Sequence, residues 1–383
     1  MRCVTPMVRM YNQLSFDEKQ AIKEAGEKQL NIILPREKVN ERLENNENYF
    51  KFIQRMNEKL EKEGSRLRYG LTGCKKCWAC RLNYSIEWAA RIIHECEKTP
   101  GMNYFVTLTY DNDHVPVLDR LEYKDQDGNK QVRYNDGTFR PSLNKDDARK
   151  FINSLRKYLS RTYNHTGLKF YMCGEYGGQT SRPHFHYILM NCPLNPTKFY
   201  DNHIDENGKD HWKQKEIEAQ WKKGMIDVAL VEFGDAAYVA RYGTKLFLKG
   251  GTEEDYAKLG IVKEFTRCSR NPGIGLDFVR RHELDLLLTD EIVMKNSSDK
   301  TVHVKLPQYY VKKLEEIYPE YIDQLKNERQ RIAIASNKIK QMKTNLSDKE
   351  MYEREAQELA RREGLLKREN IDRKWNDRIY TGN

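Results

Sequence analysis

The order of strand-like and helix-like segments between residues 101 and 282 constrains the fold more than any other feature of this sequence. Segments rich in β-branched and aromatic residues alternate there with amphipathic segments of helical spacing. Predicted strands cover residues 103–110, 168–174, 184–190 and 226–233, predicted helices cover 144–161 and 236–249, and a turn-rich hairpin or loop covers 120–141. This alternation predicts an α+β domain with a central, mainly antiparallel sheet flanked by helices.

Two flanking regions complete the predicted organisation. Apolar residues at helical spacing predict helices over about residues 48–63 and 83–97. We therefore expect an N-terminal helical region with a cysteine cluster (1–100), a central domain (101–282) and a mainly helical C-terminal region (283–383). Charges in the last region are nearly balanced, which favours a solvated helical tail or short coiled coil over a DNA-binding arm.

Composition limits the classes of function. The chain of 383 residues has 67 Lys and Arg against 57 Asp and Glu, a formal net charge of +10. No stretch approaches the roughly 18 apolar residues of a spanning helix, so no membrane role is expected. Eight cysteines without an apolar secretion signal predict reduced thiols in a cytoplasm. The positive charge suits a polyanion such as nucleic acid, although a solvated basic surface explains it equally well.

The first candidate site is the pair His184 and His186. On a strand, residues i and i+2 face the same side, so two imidazoles can bind one metal ion while Phe185 points into the core. Glu175 ends the preceding predicted strand and can add a carboxylate, which together suits Mg²⁺ or Mn²⁺ acting as a Lewis acid. The competing interpretation is two histidines on an exposed strand with a loop carboxylate nearby, or with Tyr176 facing the site instead of Glu175.

The second candidate site is the segment from Tyr238 to Lys245, in which Tyr242 lies between the two. On a helix, offsets of 0, 4 and 7 share one face, so two phenols and one ammonium line up. A tyrosine that attacks a phosphodiester needs in-line placement, easier ionisation and neutralised phosphate charge. Lys245 and a metal ion are candidates for the last two. Tyrosines that pack on the sheet beside a snorkelling lysine are the alternative.

The third candidate site is the cysteine cluster Cys74, Cys77 and Cys80. Three thiolates at this spacing can bind a structural zinc ion, and Cys3 could be the fourth ligand. Reduced cysteines in a turn without metal are an equally good interpretation, because zinc ribbons usually show two separated pairs.

The motifs together resemble the HUH endonuclease superfamily, which is defined by a His-hydrophobic-His strand and a tyrosine helix. Within it, the sequence is similar to the replication initiators of microviruses, in particular the gokushovirus branch. The resemblance spans about residues 70–315. It rests on FVTLTY (105–110), PHFHYIL (183–189), YVARYGTK (238–245), CKKCWACR (74–81), GEYGGQTSRPHFH (174–186), SRNPGIG (269–275) and LPQYYVKKL (306–314).

The resemblance implies a palm-like sheet that presents a metal site, with the tyrosine helix packed against it. His184, His186 and Glu175 would be metal ligands, and Tyr238 and Tyr242 would be alternating nucleophiles. One tyrosine would nick single-stranded origin DNA, form a 5′-phosphotyrosine and free a 3′-hydroxyl, and the second would allow the circle to be closed. The resemblance also implies rolling-circle replication in the cytoplasm of a bacterial host that supplies helicase and polymerase.

Groups suited to DNA surround these motifs. Cations neutralise phosphates and aromatic rings stack on unpaired bases. The candidates are Lys75, Lys76, Arg81, Arg182, Arg241, Lys249, Arg267 and Arg270, with Trp78, Tyr176, Phe185 and Phe247. Two other functions stay open: a non-catalytic zinc-containing nucleic-acid-binding protein, and a metal-dependent hydrolase that uses water. The sequence has no GxxxxGK[ST] motif, so it is not expected to unwind DNA itself.

Overall fold

The computed structural model describes most of the chain. The described residues are 7–12, 14, 16–27, 29–44, 49–74, 78–125, 127–177, 181–206, 208–242, 252–295, 301–346, 350, 351, 354, 355, 357, 358 and 361. The strands are β1 (Met7–Asn12), β2 (Asn31–Ile33), β3 (Leu67–Thr72), β4 (Tyr104–Tyr110), β5 (Arg120–Lys124), β6 (Lys130–Tyr134), β7 (Lys169–Tyr176), β8 (Pro183–Met190), β9 (Phe199–Ile204), β10 (Asp210–Gln214), β11 (Gly224–Leu230), β12 (Phe265–Cys268), β13 (Glu291–Lys295) and β14 (Thr301–Lys305). The helices are α1 (Phe16–Glu24), α2 (Arg36–Asn40), α3 (Tyr49–Lys62), α4 (Trp78–Cys96), α5 (Lys145–Tyr163), α6 (Lys215–Trp221), α7 (Phe233–Tyr242), α8 (Glu253–Lys258), α9 (Leu276–Arg281), α10 (Glu283–Thr289), α11 (Gln308–Glu315) and α12 (Pro319–Thr344).

The described residues divide into two compact units. The larger unit takes its residues from Ser85–His282 and Glu291–Pro307. The smaller takes them from Met1–Tyr84, Glu283–Asp290 and Gln308–Trp375. The predicted division of the chain into three regions stays a prediction.

A seven-stranded sheet in the order β12-β7-β8-β4-β11-β10-β9 forms the centre of the larger unit. Every neighbouring pair is antiparallel. Each strand predicted from the sequence lies in this sheet, and the turn-rich stretch forms the separate hairpin β5–β6. The prediction of an α+β fold with an antiparallel sheet flanked by helices is therefore confirmed.

One face of the sheet is covered by α5 and α6. Asn144 caps the start of α5 by accepting hydrogen bonds from the backbone of Asp146 and Asp147. The apolar stripe of α5 is buried, and Phe151 lies against Tyr187 of β8 with ring centroids 5.1 Å apart. Because side chains alternate along a strand, this packing turns the neighbouring histidines of β8 to the opposite face, where α7 lies against β7 and β8.

Phe185 is the central test of this core. Its side chain is 0% exposed and contacts the rings of Tyr110, Trp221 and Phe265. We expect Phe185→Ala to lower the free energy of unfolding by about 3–5 kcal/mol, because the cavity adds to the lost burial. Met225→Ala, at a strand position that is 61% exposed, should cost below about 1 kcal/mol. Urea denaturation measures both, and equal losses would contradict the packing.

The N-terminal region is not purely helical, as the sequence pattern suggested. In the smaller unit, β2, β1 and β3 form an antiparallel sheet, on which α3 packs Phe52 and Ile53 against Val8 and Tyr69. These strands escaped prediction because they are short and carry arginines between their apolar residues. Similarly, the antiparallel pair β13–β14 lies within the C-terminal region that was expected to be mainly helical.

Charged helices dominate the rest of the C-terminal region, as predicted. In the smaller unit, Arg329 of α12 forms an ion pair with Asp290, and the Tyr318 hydroxyl donates to Glu283 at 3.1 Å. Among the described residues, no helix has both the length and the apolar character needed to cross a membrane.

Candidate active site

The antiparallel pairing of β7 and β8 brings together the three residues predicted as metal ligands. Glu175 pairs directly with His184, and His186 lies two residues further on the same face. Glu175 Oε1 lies 2.8 Å from His184 Nε2 and 2.9 Å from His186 Nε2. The three side chains are largely buried, and each offers a ligand atom close enough to the others to hold one metal ion.

The far nitrogens of both imidazoles are held by other groups. His184 Nδ1 lies 3.0 Å from the carbonyl oxygen of Arg182, and His186 Nδ1 lies 3.0 Å from Thr107 Oγ1. A carbonyl only accepts, so Nδ1 of His184 carries a proton and Nε2 of the neutral ring presents a lone pair to Glu175. Two acceptors face each other at this short distance only when a proton or a cation lies between them.

Burial and hydrogen bonding act in opposite directions on the three groups. Burial raises the pKa of Glu175, but bonds from His184 and His186 outweigh it and the pKa falls below its ordinary value. Burial lowers the pKa of His184, yet the bond to Glu175 outweighs it and the pKa is raised. At His186 burial prevails and the pKa is lowered. His186 is thus disposed to be a neutral ligand, whereas His184 must release a proton to bind metal.

One oxygen of Glu175 supports a cation at this place. Oε2 is buried and has no hydrogen-bond partner among the described residues, which is costly for a carboxylate unless a cation or water satisfies it. Two imidazole nitrogens and a carboxylate suit a divalent ion with positions left open for substrate. The residues therefore fit the metal that the sequence predicted.

Tyr238 lies on the helix that covers this face. Its ring meets the His186 ring edge to face, with centroids 5.5 Å apart, and meets Phe105 at 6.3 Å. The Ser85 hydroxyl of α4 donates to the Ala237 carbonyl at 2.7 Å and so fixes the helix beside the sheet. The structure thus brings the first predicted tyrosine to the histidine pair, and its side chain is partly exposed.

Two other predicted residues are only partly covered by the structure. Tyr242 ends α7, one helical turn after Tyr238, so its backbone shares that face of the helix. Its side chain and the whole of Lys245 lie outside the described residues. Their roles stay predictions.

The cysteine cluster is also incompletely covered. Cys74 and Cys80 are partly buried and form no disulfide, whereas Cys77 and Cys3 lie outside the described residues. A zinc ion at this cluster stays a prediction.

Two aromatic residues predicted to stack on DNA bases are core residues. Phe185 is 0% exposed. Tyr176 is buried, and its hydroxyl donates to the Val262 carbonyl at 2.7 Å and accepts from the Leu143 amide at 3.1 Å. The prediction is wrong for both, since alternation along β7 and β8 turns them away from the histidine face. Arg182, in addition, donates to the Tyr110 carbonyl at 2.9 Å, which ties β8 to the end of β4.

A second group on the same sheet was missed in the sequence. His203, His211 and Asp227 also lie close enough together to hold a metal ion. The signal that could have revealed it is Asn207-Gly208, a dipeptide typical of tight hairpins. A hairpin there would have placed the two histidines on neighbouring strands.

Comparisons with known proteins give a consistent result. The family model for replication-associated proteins of the ORF2 type matches residues 103–247. The chain is 33% identical over 264 residues to the replication-associated protein ORF2 of Spiroplasma virus 4, covering 68% of this chain and 73% of the relative. It is 29% identical over 248 residues to the replication-associated protein VP4 of Bdellovibrio phage phiMH2K, covering 64% and 68%. It is 26% identical over 223 residues to the replication-associated protein ORF4 of Chlamydia phage 1, covering 58% and 49%. No solved structure matches the chain.

Proposed function

This chain belongs to the family of replication-associated proteins of the ORF2 type, and on that premise we propose that it initiates rolling-circle replication as an HUH endonuclease and strand transferase. Its substrate is single-stranded DNA at a replication origin, and its nucleophiles are Tyr238 and Tyr242. The observation that carries the proposal is the Tyr238 ring beside His186, within a buried group of two imidazoles and one carboxylate.

The chemistry proceeds in two transfers. The phenol oxygen of one tyrosine attacks the origin phosphorus and loses its proton to solvent, while the bond to the 3′-oxygen breaks and that oxygen takes up a proton. The DNA is left with a 5′-phosphotyrosine and a free 3′-hydroxyl. In the reverse transfer a 3′-hydroxyl attacks the phosphotyrosine and regenerates the phenol, so rejoining consumes no ATP.

Each group of the site has a part in these transfers. Mg²⁺ or Mn²⁺ held by Glu175, His184 and His186 supplies Lewis-acid polarisation of the phosphate. Lys245 contributes further positive charge. Helix α7 positions the phenols, and the alternation of two tyrosines allows one to hold DNA while the other cleaves the next origin. The host supplies helicase and polymerase inside the bacterial cell.

Nicking of single-stranded oligonucleotides that scan an origin tests the proposal. With Mn²⁺ present we expect cleaved products whose 3′ ends a polymerase extends and whose 5′ ends are protein-linked. EDTA should stop the reaction. Free 5′-phosphate ends would instead indicate hydrolysis by water, and metal-independent DNA binding without cleavage would indicate a non-catalytic nucleic-acid-binding protein.

Thr107 should matter through His186. Because its hydroxyl fixes the ring nitrogen that faces away from Glu175, we expect Thr107→Val to weaken Mn²⁺ binding by about 10- to 100-fold. Nicking should recover at saturating Mn²⁺. Thr109→Val, on the same face of β4 opposite His184, is the matched control and should keep the wild-type Mn²⁺ dependence. Identical dependence for both variants would show that Thr107 does not orient the histidine.

A further inference from the structure

We propose that His203, His211 and Asp227 form a second site for a divalent transition-metal ion, at the β9 edge of the sheet and separate from the Glu175 site. The three residues come from neighbouring strands. His203 of β9 pairs directly with His211 of β10, and a register shift follows immediately after His211. Asp227 lies on β11, the next strand of the sheet. Their ligand atoms all lie within 4.8 Å of one another.

The atoms of this second site converge on one point without satisfying each other. His203 Nδ1 faces the Asp201 carbonyl at 3.5 Å, so Nε2 of the neutral ring presents its lone pair toward Asp227 Oδ1, 3.6 Å away. His211 is 5% exposed. His211 Nε2 and Asp227 Oδ1 are buried and have no hydrogen-bond partner among the described residues. Unsatisfied lone pairs of this kind are the groups that a cation satisfies.

A second carboxylate strengthens the negative side of the site. Asp205 Oδ2 lies 3.6 Å from His211 Nε2, while its other oxygen accepts from the Lys209 amide at 3.0 Å. The competing explanation is a protonated His211 between Asp205 and Asp227, whose Oδ2 lies 2.6 Å from His211 Nδ1. That explanation gives no reason for His203 to turn its Nε2 toward the same carboxylate.

The donor set selects the class of ion. Imidazole nitrogens with carboxylate oxygens suit Zn²⁺, Co²⁺, Ni²⁺ or Mn²⁺, whereas Mg²⁺ and Ca²⁺ prefer sites built from oxygen alone. His203 is about half exposed, with 54% of its side-chain area accessible, so ions can enter from solvent.

The second site shares a face with the first but is too distant to share its ion. Asp227 pairs directly with Thr107, and Thr107 pairs directly with His186. Two strand spacings separate the backbones of Asp227 and His186, roughly 10 Å. Ions that jointly clamp one phosphate lie about 3.5–4 Å apart. The second ion therefore stands on its own residues, whether or not the protein nicks DNA.

Metal titration of the full chain tests the proposal. Metal-free protein is titrated with Co²⁺, whose visible absorption reports imidazole ligation. We expect two ions in the wild type and one in His184→Ala/His186→Ala. Adding His203→Ala to that double variant should weaken the remaining Co²⁺ by about 100-fold or more, since loss of a ligand costs at least as much as loss of a supporting contact. Absence of Co²⁺ binding in the double variant, or an unchanged affinity after His203→Ala, would overturn the proposal.

Chemical modification of the unaltered chain gives an independent measurement that no folding defect can affect. Diethyl pyrocarbonate modifies accessible histidines, and mass spectrometry locates the products. We expect Zn²⁺ to protect His203 and to leave His303 reactive. His303 is the matched control, because it is similarly exposed at 61% of its side-chain area and pairs with one carboxylate, Glu291, at 2.8 Å. Equal modification of His203 with and without Zn²⁺ would refute the second site.

Discussion

Replacing both tyrosines of α7, in Tyr238→Phe/Tyr242→Phe, should abolish the covalent adduct between the protein and origin DNA. Phenylalanine keeps the ring contacts with Phe105 and His186 but removes the oxygen that attacks phosphorus. We expect the rate of nicking to fall by at least about 10⁴-fold, as for removal of other enzymatic nucleophiles. The adduct is measured by denaturing electrophoresis of protein incubated with labelled single-stranded oligonucleotide and Mn²⁺.

The single variants and a distant tyrosine make this experiment specific. Each single variant should still form one adduct but fail to complete the transfer that closes a circle, because only one nucleophile remains. Tyr134→Phe is the control, since Tyr134 lies on the β5–β6 hairpin and is 68% exposed. An adduct that persists in the double variant would exclude both tyrosines as nucleophiles.

Loss of the two histidines should have the second large effect. We expect His184→Ala/His186→Ala to lower metal-dependent nicking by at least about 10³-fold, because the Lewis acid loses two of its three protein ligands. Mn²⁺ affinity at this site, measured by calorimetry, should fall in parallel, whereas binding of uncleaved DNA should change little. His303→Ala removes a histidine in an exposed pair with Glu291 and should leave nicking unchanged.

Glu175→Gln refines this result. Glutamine keeps the volume of the side chain but removes the charge that both imidazoles face. Mn²⁺ affinity should therefore fall without loss of the fold. Nicking at the wild-type rate in both the double histidine variant and Glu175→Gln would show that the histidine face is structural.

The sequence was sufficient for the part of the fold that holds the candidate site. Alternation along a strand predicts that His184 and His186 share a face, and the short connection between two strands predicts that Glu175 lies opposite them. The pairing of Glu175 with His184 agrees with both. Helical spacing likewise predicted that the residues around Tyr238 form a helix, and α7 lies on the histidine face.

The edges of the sheet could not be predicted in the same way. Strand β9 reads Phe-Tyr-Asp-Asn-His-Ile and is mostly exposed, so it lacks the apolar alternation that marks a strand. A register shift in β10 further separates sequence spacing from side-chain direction. For that reason the convergence of His203, His211 and Asp227 becomes visible only in three dimensions.

Identification of the residue that is linked to DNA tests the central claim most directly. The adduct is digested with protease and nuclease, and mass spectrometry locates the nucleotide that remains on the peptide. We predict a phosphodiester on Tyr238 or Tyr242 that joins the phenol to a 5′-nucleotide. A nucleotide on any other residue, or cleaved DNA with free 5′-phosphate ends and no linked peptide, would contradict the account.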